Sequence, residues 1–448
     1  MSDTEAPVDE PAFSTRRILG RGASTSFVLQ CAGTALQYAT NVVFARAMGV
    51  DDFGVFTYVT NWARIGGSLS HLGAASSTLR FVDEHSVNEE WPLVSGVIRA
   101  SRWLPLLLGS AIALIGSALV FAAQGRTTGS VAMVLALWLI PFASLIEVQQ
   151  TLVRAYKLIF RAFFPWLVLQ PILVIVAAGV AVVSGVHITA ADAVLVTFAS
   201  YAATVAVQAW WLRGAMPDAV RASKPAYALR SWGTVTAPIF VSNVVYIVFS
   251  RMDVVMVGIL VGPKEAGIYA VAMRAGNLAQ IGQTAMSATV APRISQLYWS
   301  KREDELQHLV LTSVRWVFIP SLGLAVVMSL GARPILAVFG HAFIAGRWVL
   351  IWIVIGQLVS VSSGPVGWLM NLTGRQNVTA VVFGATAGVT IVGYLVLIPM
   401  YGMVGAAIAN SAAIAARNVV LSQLAKRSLG YNVSVWAALR PHHRRDVK

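Results

Sequence analysis

The chain has 448 residues, of which 57% are hydrophobic and only 12% charged, with a mean hydropathy of +0.71. Soluble domains carry about 25% charged residues, so the composition excludes a water-soluble enzyme. It describes an all-α integral membrane protein with room for about a dozen spans of roughly 20 residues. A net charge of +14 is not a nucleic-acid signal in such a chain, because Lys and Arg gather in cytoplasmic loops, where they orient the protein and meet anionic lipid.

Residues 1–23 read as a disordered cytoplasmic tail; the first fifteen are polar and lack the apolar core of a cleaved signal peptide. Apolar runs bounded by charge or Gly/Pro predict twelve helices. They are α1 (24–48), α2 (54–79), α3 (94–123), α4 (130–153), α5 (163–184), α6 (190–212), α7 (232–258), α8 (265–291), α9 (306–330), α10 (347–372), α11 (378–399) and α12 (403–425). The lone cysteine, Cys31 in α1, has no disulfide or metal-ligand partner and reads as core. Between α9 and α10, residues 331–346 are too short to span and predict an interfacial or re-entrant segment.

With the N-terminus inside, 24 of the 33 Lys and Arg fall on cytoplasmic segments or the inner ends of helices, against four outside, namely Arg126, Lys264, Arg333 and Arg347. That asymmetry predicts both termini in the cytoplasm. Residues 49–103 align without a gap on 262–316 at an offset of 213, with Gly49 on Gly262, Gly54 on Gly267, Arg80 on Arg293 and Arg102-Trp103 on Arg315-Trp316. Two six-helix lobes follow, 24–212 and 232–425, joined by a linker at 213–231 and followed by a basic tail at 426–448. Six is even, so the lobes are parallel repeats about an axis along the membrane normal, with a substrate site expected between them.

No Walker loop, dinucleotide motif, HExxH or GxSxG is present. Of nineteen acidic residues only Glu147 and Asp253 fall deep within spans, and spacing gives Glu147 no partner. Five arginines (46, 64, 251, 274 and 417) lie within the spans. A buried Arg costs about 2.5–3.5 kcal/mol even on the lenient insertion scale, and persists where it faces a partner or a wet cavity.

In α2, Asn61, Arg64, Ser68 and His71 share one face. In α8, Arg274 and Asn277 do the same, and the offset lays Asn61 on Arg274 and Arg64 on Asn277. The lobes thus carry one Arg/Asn pair in exchanged order, predicting two guanidinium groups across one cavity. Guanidinium binds phosphate bidentately and stays charged, and the chain uses 27 Arg but only 6 Lys.

Further polar faces run along α1 (Gln30, Thr34, Gln37, Asn41) and α7 (Asn243, Tyr246, Ser250, Asp253). The competing reading makes such faces glue between helices, worth about 0.6 kcal/mol per hydrogen bond, and His71 a packing histidine in place of a proton switch. Asp253 has three readings: a counter-ion for Arg274, a carrier of H+ or Na+, or a structural ion pair. No cofactor and no metal site are expected.

The stretches FARAMGVDDFGVFTYVTNWARIGG, DVVMVGILVGPKEAGIYAVAMRAGN, SSGPVGWLMNLTGRQNV and LIPMYGMVGAAIAN together resemble the polysaccharide-transporter branch of the multidrug/oligosaccharidyl-lipid/polysaccharide exporter superfamily, which holds the Wzx-type flippases. The resemblance implies a two-lobed, MATE-like membrane protein of the plasma membrane. It would flip a polyprenyl-pyrophosphate-linked oligosaccharide, a repeat unit of O-antigen, capsule or exopolysaccharide, by alternating access. Glycosyltransferases and a glycan polymerase of the same pathway are the implied partners, and H+, Na+ or the membrane potential the energy source.

A related lipid II flippase lines its cavity with the first, second, seventh and eighth helices. By the resemblance Asp51 or Asp52, Arg64 and Arg274 take its acidic and arginine positions. An arginine which that relative carries within its first helix has no counterpart, since Arg46 sits at the outer end of α1, and two terminal helices of some members are missing. The alternatives are a multidrug antiporter of the same fold and a polytopic glycan polymerase or ligase. The first would want an acidic cavity and the second a large outer loop.

Overall fold

Gly49 is where the first helical run stops being a straight rod. In the computed structural model, which describes residues 12–125, 127–431 and 435–436, helix runs over Ala12–Ser70 and breaks only at Gly49, with φ 77°. Glycine takes such a conformation without a Cβ penalty, so α1 (12–48) turns into α2 (50–70) with no loop. Gly262, at φ 148°, does the same between α7 (Leu229–Leu260) and α8, and Gly402, at φ 58°, between α11 (376–401) and α12 (403–429).

The remaining helices are α3 (Trp91–Gln124), α4 (Thr128–Leu137 and Ile140–Ala155), α5 (Ile159–Val183), α6 (Ala190–Ala215), α9 (Glu303–Leu330) and α10 (Arg347–Ser362 and Val366–Leu372). All predicted spans are present and no strand occurs among the described residues. The chain is a multi-pass, all-α membrane protein.

Several helices are broken where continuity was expected. α2 breaks after Ser70 at His71-Leu72-Gly73 and resumes at Ala74–Val87, with Leu72 and Gly73 at positive φ. α8 passes from Pro263–Asn277 through a 3-10 turn at Leu278–Gln280 into Ile281–Trp299. α10 breaks before Pro365, where the ring removes an N–H donor.

The expected N-terminal tail lies outside the described residues to position 11, but 12–23 are helical and extend α1. Of the expected C-terminal tail, 426–429 continue α12, and 432–434 and 437–448 lie outside the described residues. Cys31 is exposed, so it is not core.

Among the described residues seven helical runs are long and apolar enough to cross a bilayer, or eight counting α7 across its bend; one of them, Gln376–Leu429, holds both α11 and α12. The three that fall short are α1, α2 and α8. They are the helices whose polar residues line the cavity between the lobes.

The lobes close on the outer side. Gly54 and Gly267 touch: a Cβ on Gly267 would lie 2.6 Å from Gly54 Cα, and one on Gly54 would lie 2.5 Å from the Pro263 carbonyl oxygen. Small residues let helix backbones approach this closely. Beside them Lys264 Nζ pairs with Asp51 Oδ1 at 3.1 Å, two positions related by the same offset of 213.

The segment 331–346 forms two short helical turns that lie over this junction. Its Phe339 and Phe343 are buried against Tyr38 and Phe53 at centroid distances of 5.1 and 5.5 Å, and Arg46 Nε donates to the Val338 carbonyl at 2.7 Å. It is an outer cap fastened to the opposite lobe.

On the inner side α2 and α7 stay together. Thr236 Oγ1 donates to Ser77 Oγ at 3.1 Å, Trp232 Nε1 to His85 Nε2 at 3.3 Å, and the linker's Ala226 N–H to the Pro92 carbonyl at 2.9 Å. The inner half of α8 packs instead on α9 and Val366–Leu372 of its own lobe, while α1 is exposed at Val28, Gln30, Cys31 and Thr34. The lobes part here between α1 and α8, which makes the form inward-facing.

Candidate functional site

The cavity between the lobes has a volume of about 300 Å³. The polar face of α1 supplies Thr34, Gln37 and Asn41, α2 supplies Thr60 and Arg64, and α8 supplies Arg274 and Asn277. The far wall comes from α5 and α6, through Trp166, Gln170 and Tyr201. The local cause is a π-helical turn at Pro165–Leu169. An extra residue per turn rotates the side chains that follow, and such turns recur at functional sites. Nothing in the periodicity of α5 signals it beyond Pro165.

Arg274 Nη1 donates to Asn41 Oδ1 across the lobe boundary. Asn277 Oδ1 accepts from Gln357 Nε2 at 2.9 Å, which fixes its amide from behind. The guanidinium of Arg64 lies 5.6 Å from the centre of the Trp166 ring, a cation–π contact that holds it without consuming its charge.

Arg64 also borders a second chamber of about 280 Å³, lined by Glu147, Gln150, Trp166, Tyr201 and Arg251. Arg251 joins it because α7 bends by 50° between Leu229–Ile247 and Ser250–Leu260. The same bend separates the expected face of α7, leaving Tyr246 68% exposed and Asp253 fully buried. Three guanidinium groups therefore line the joined chambers against one carboxylate, a net formal charge of 3 − 1 = +2.

That carboxylate has a partner which spacing within α4 did not reveal. Glu147 Oε2 lies 3.0 Å from His71 Nε2, and Oε1 accepts from Ser68 Oγ at 3.3 Å. His71 Nδ1 accepts the Gly73 N–H at 3.2 Å, so the ring's proton sits on Nε2, facing the carboxylate. His71 thereby closes the break in α2 and anchors the one acid that lines these chambers among the described residues.

The other expected residues lie away from the cavity. Asn61 is buried and its Nδ2 donates to the Thr57 carbonyl at 2.8 Å; Thr60, its neighbour, faces the cavity in its place. Asp253 sits inside the second lobe, its carboxylate accepting from the Val254 N–H at 2.8 Å, the Tyr269 hydroxyl at 3.1 Å and Asn410 Nδ2 at 3.4 Å. It is not paired with Arg274, whose described partner is Asn41. No group of three or more His, Cys, Asp or Glu side chains placed to hold a metal occurs among the described residues.

A cavity of net positive formal charge attracts anions. It offers several charged donors, and amides and hydroxyls for neutral polar groups. Residues 19–298 match the family described as polysaccharide biosynthesis protein, and residues 238–396 match the family MatE.

The "Probable low-salt glycan biosynthesis flippase Agl15" of Haloferax volcanii is 24% identical over 421 residues, covering 90% of this chain and 82% of its own. Among solved structures, an inward-facing multidrug resistance MATE family transporter superposes with a TM-score of 0.70 at 16% identity, covering 88% of this chain and 96% of its own. The lipid II flippase MurJ in an inward closed conformation gives 0.65 at 15%, over 90% and 87%. An outward-facing MATE family transporter gives 0.54 at 14%, over 91% and 95%.

Proposed function

Because this chain belongs to the polysaccharide biosynthesis protein family, we propose that it is a flippase that carries a polyprenyl-pyrophosphate-linked oligosaccharide across the plasma membrane by alternating access. The observation that carries the reading is the convergence of Arg64, Arg251 and Arg274 on joined chambers holding a single carboxylate. In this reading Arg64 and Arg274 clamp the pyrophosphate, with Arg251 behind them. The amides of Gln37, Asn41 and Asn277 contact sugar hydroxyls, and the lipid tail stays in the bilayer through the gap between α1 and α8. Closure of that gap and separation of the Gly54–Gly267 contact then present the head group outside.

Each charge-assisted bond is worth about 1.5–3 kcal/mol, so loss of one arginine costs roughly ten- to a hundredfold in affinity. Deleting the gene in its native host is expected to trap lipid-linked repeat units in the inner leaflet, and Arg64→Gln or Arg274→Gln, expressed at normal levels, to fail to release them. Full glycan export by both variants would rule out the clamp.

Asp253 is the coupling residue of this proposal. A fully buried carboxylate held by a tyrosine and an asparagine is suited to taking up H+ or Na+. Asp253→Asn is expected to leave head-group binding intact and to abolish the dependence of transport on an ion gradient. The match of residues 238–396 to MatE favours a second reading, multidrug antiport. A cavity of net positive charge disfavours cationic drugs, and drug-resistance profiles of a susceptible host separate the two.

A further inference from the structure

We infer that the lipid-facing groove between α8 and α9 is a second subsite of this protein, which receives the polyprenyl chain of the lipid whose pyrophosphate occupies the cavity. This rests on the flippase reading above, and it assigns to the tail a place that reading leaves open.

The groove has a volume of about 430 Å³ and is lined by Ala279, Gly282, Met286, Trp316, Pro320 and Leu324, with no charged side chain among its lining residues. It lies directly behind the site. Asn277 and Leu278 face the cavity, whereas Ala279 and Gly282 face the groove, and the 3-10 turn at Leu278–Gln280 separates the two sets. At 1.5 Å per residue, Asn277 and Gly282 are about 7.5 Å apart along the axis. A lipid phosphate held at Arg274 thus has hydrocarbon within a few bonds, reached around α8 through the gap where the lobes part.

Depth also fits. Trp316, 70% exposed, lies at the middle of the apolar span Glu303–Leu330. Leu324 lies eight residues, about 12 Å, further along the helix. The groove therefore lies within the apolar part of the span, where hydrocarbon and not head groups would meet it.

Its floor carries Gly282, where a Cβ would meet only Val317 Cγ1, at 3.9 Å. The backbone is therefore open to the groove there, and a larger side chain at 282 would project into that space.

The test is equilibrium binding of two probes, undecaprenyl diphosphate and inorganic pyrophosphate, to the full-length protein in nanodiscs. Gly282→Phe is expected to weaken undecaprenyl diphosphate at least tenfold and leave pyrophosphate unchanged, while Arg274→Gln weakens both. Gly388→Leu, on the lipid face of α11 with nothing within 4 Å of its Cβ position, is expected to change neither.

Undecaprenyl diphosphate binding to Gly282→Phe as tightly as to the unaltered protein would overturn the groove and leave the cavity reading standing. Equal weakening by Gly282→Phe and Gly388→Leu would overturn it too, because any added bulk would then suffice and the groove would hold ordinary acyl chains only. Binding of neither probe by the unaltered protein would overturn both readings.

Discussion

Arg251 and Glu147 change the site most from what spacing alone suggests. Periodicity groups residues within one helix and is blind to what a bend or a neighbouring helix brings. Arg64, Arg274, Asn277 and Asn41 were legible because each lies on a regular polar face; Arg251 is turned by the bend in α7, and Glu147 finds His71 across two helices. Asn61 failed for the opposite reason, since a residue at the margin of a polar face can satisfy itself on the preceding turn.

Two predictions belong to this scale. Glu147 competes with any anion for Arg64 and Arg251, so Glu147→Gln is expected to raise pyrophosphate affinity several-fold while slowing turnover, measured by binding and flipping on the same preparation. Arg251→Gln is expected to lower affinity roughly tenfold or more, as Arg274→Gln does; unchanged binding would remove Arg251 from the site.

Helix existence was readable almost throughout, because apolar runs ended by Gly, Pro or charge leave little choice in a bilayer. Breaks inside helices were less readable. The Gly364-Pro365 pair marks the one in α10, but the break in α2 depends on Leu72 adopting positive φ and on His71 accepting a backbone N–H, neither visible in one dimension.

The contact of Gly54 with Gly267 is where the two repeats meet. Gly267→Leu forces a side chain into the backbone of Gly54; overpacking costs about 1–3 kcal/mol. The expected result is a lower melting temperature together with greater accessibility from the outer side. By contrast Asp51 and Lys264 are 77% and 48% exposed, and an exposed pair is worth about 0–1 kcal/mol. Reversing Asp51 to Lys is expected to shift stability by no more than that, with the double exchange Asp51→Lys, Lys264→Asp restoring it.

At the scale of the whole molecule, two lobes meet at glycines outside, hold together through α2 and α7 inside, and part between α1 and α8. Cys31, the single cysteine, is exposed on α1 just inward of the cavity face. A membrane-impermeant maleimide is expected to label it from the cytoplasmic side in this form and to lose access when the lobes close inward.

The most direct test of the account is flipping by the purified protein in liposomes, using a fluorescent polyprenyl-pyrophosphate oligosaccharide and a quencher confined to one side. The account predicts protein-dependent exchange between leaflets, lost when Arg64 and Arg274 are both replaced by Gln although the protein remains folded. Exchange no faster than in empty liposomes, or equally fast without the two arginines, would contradict it.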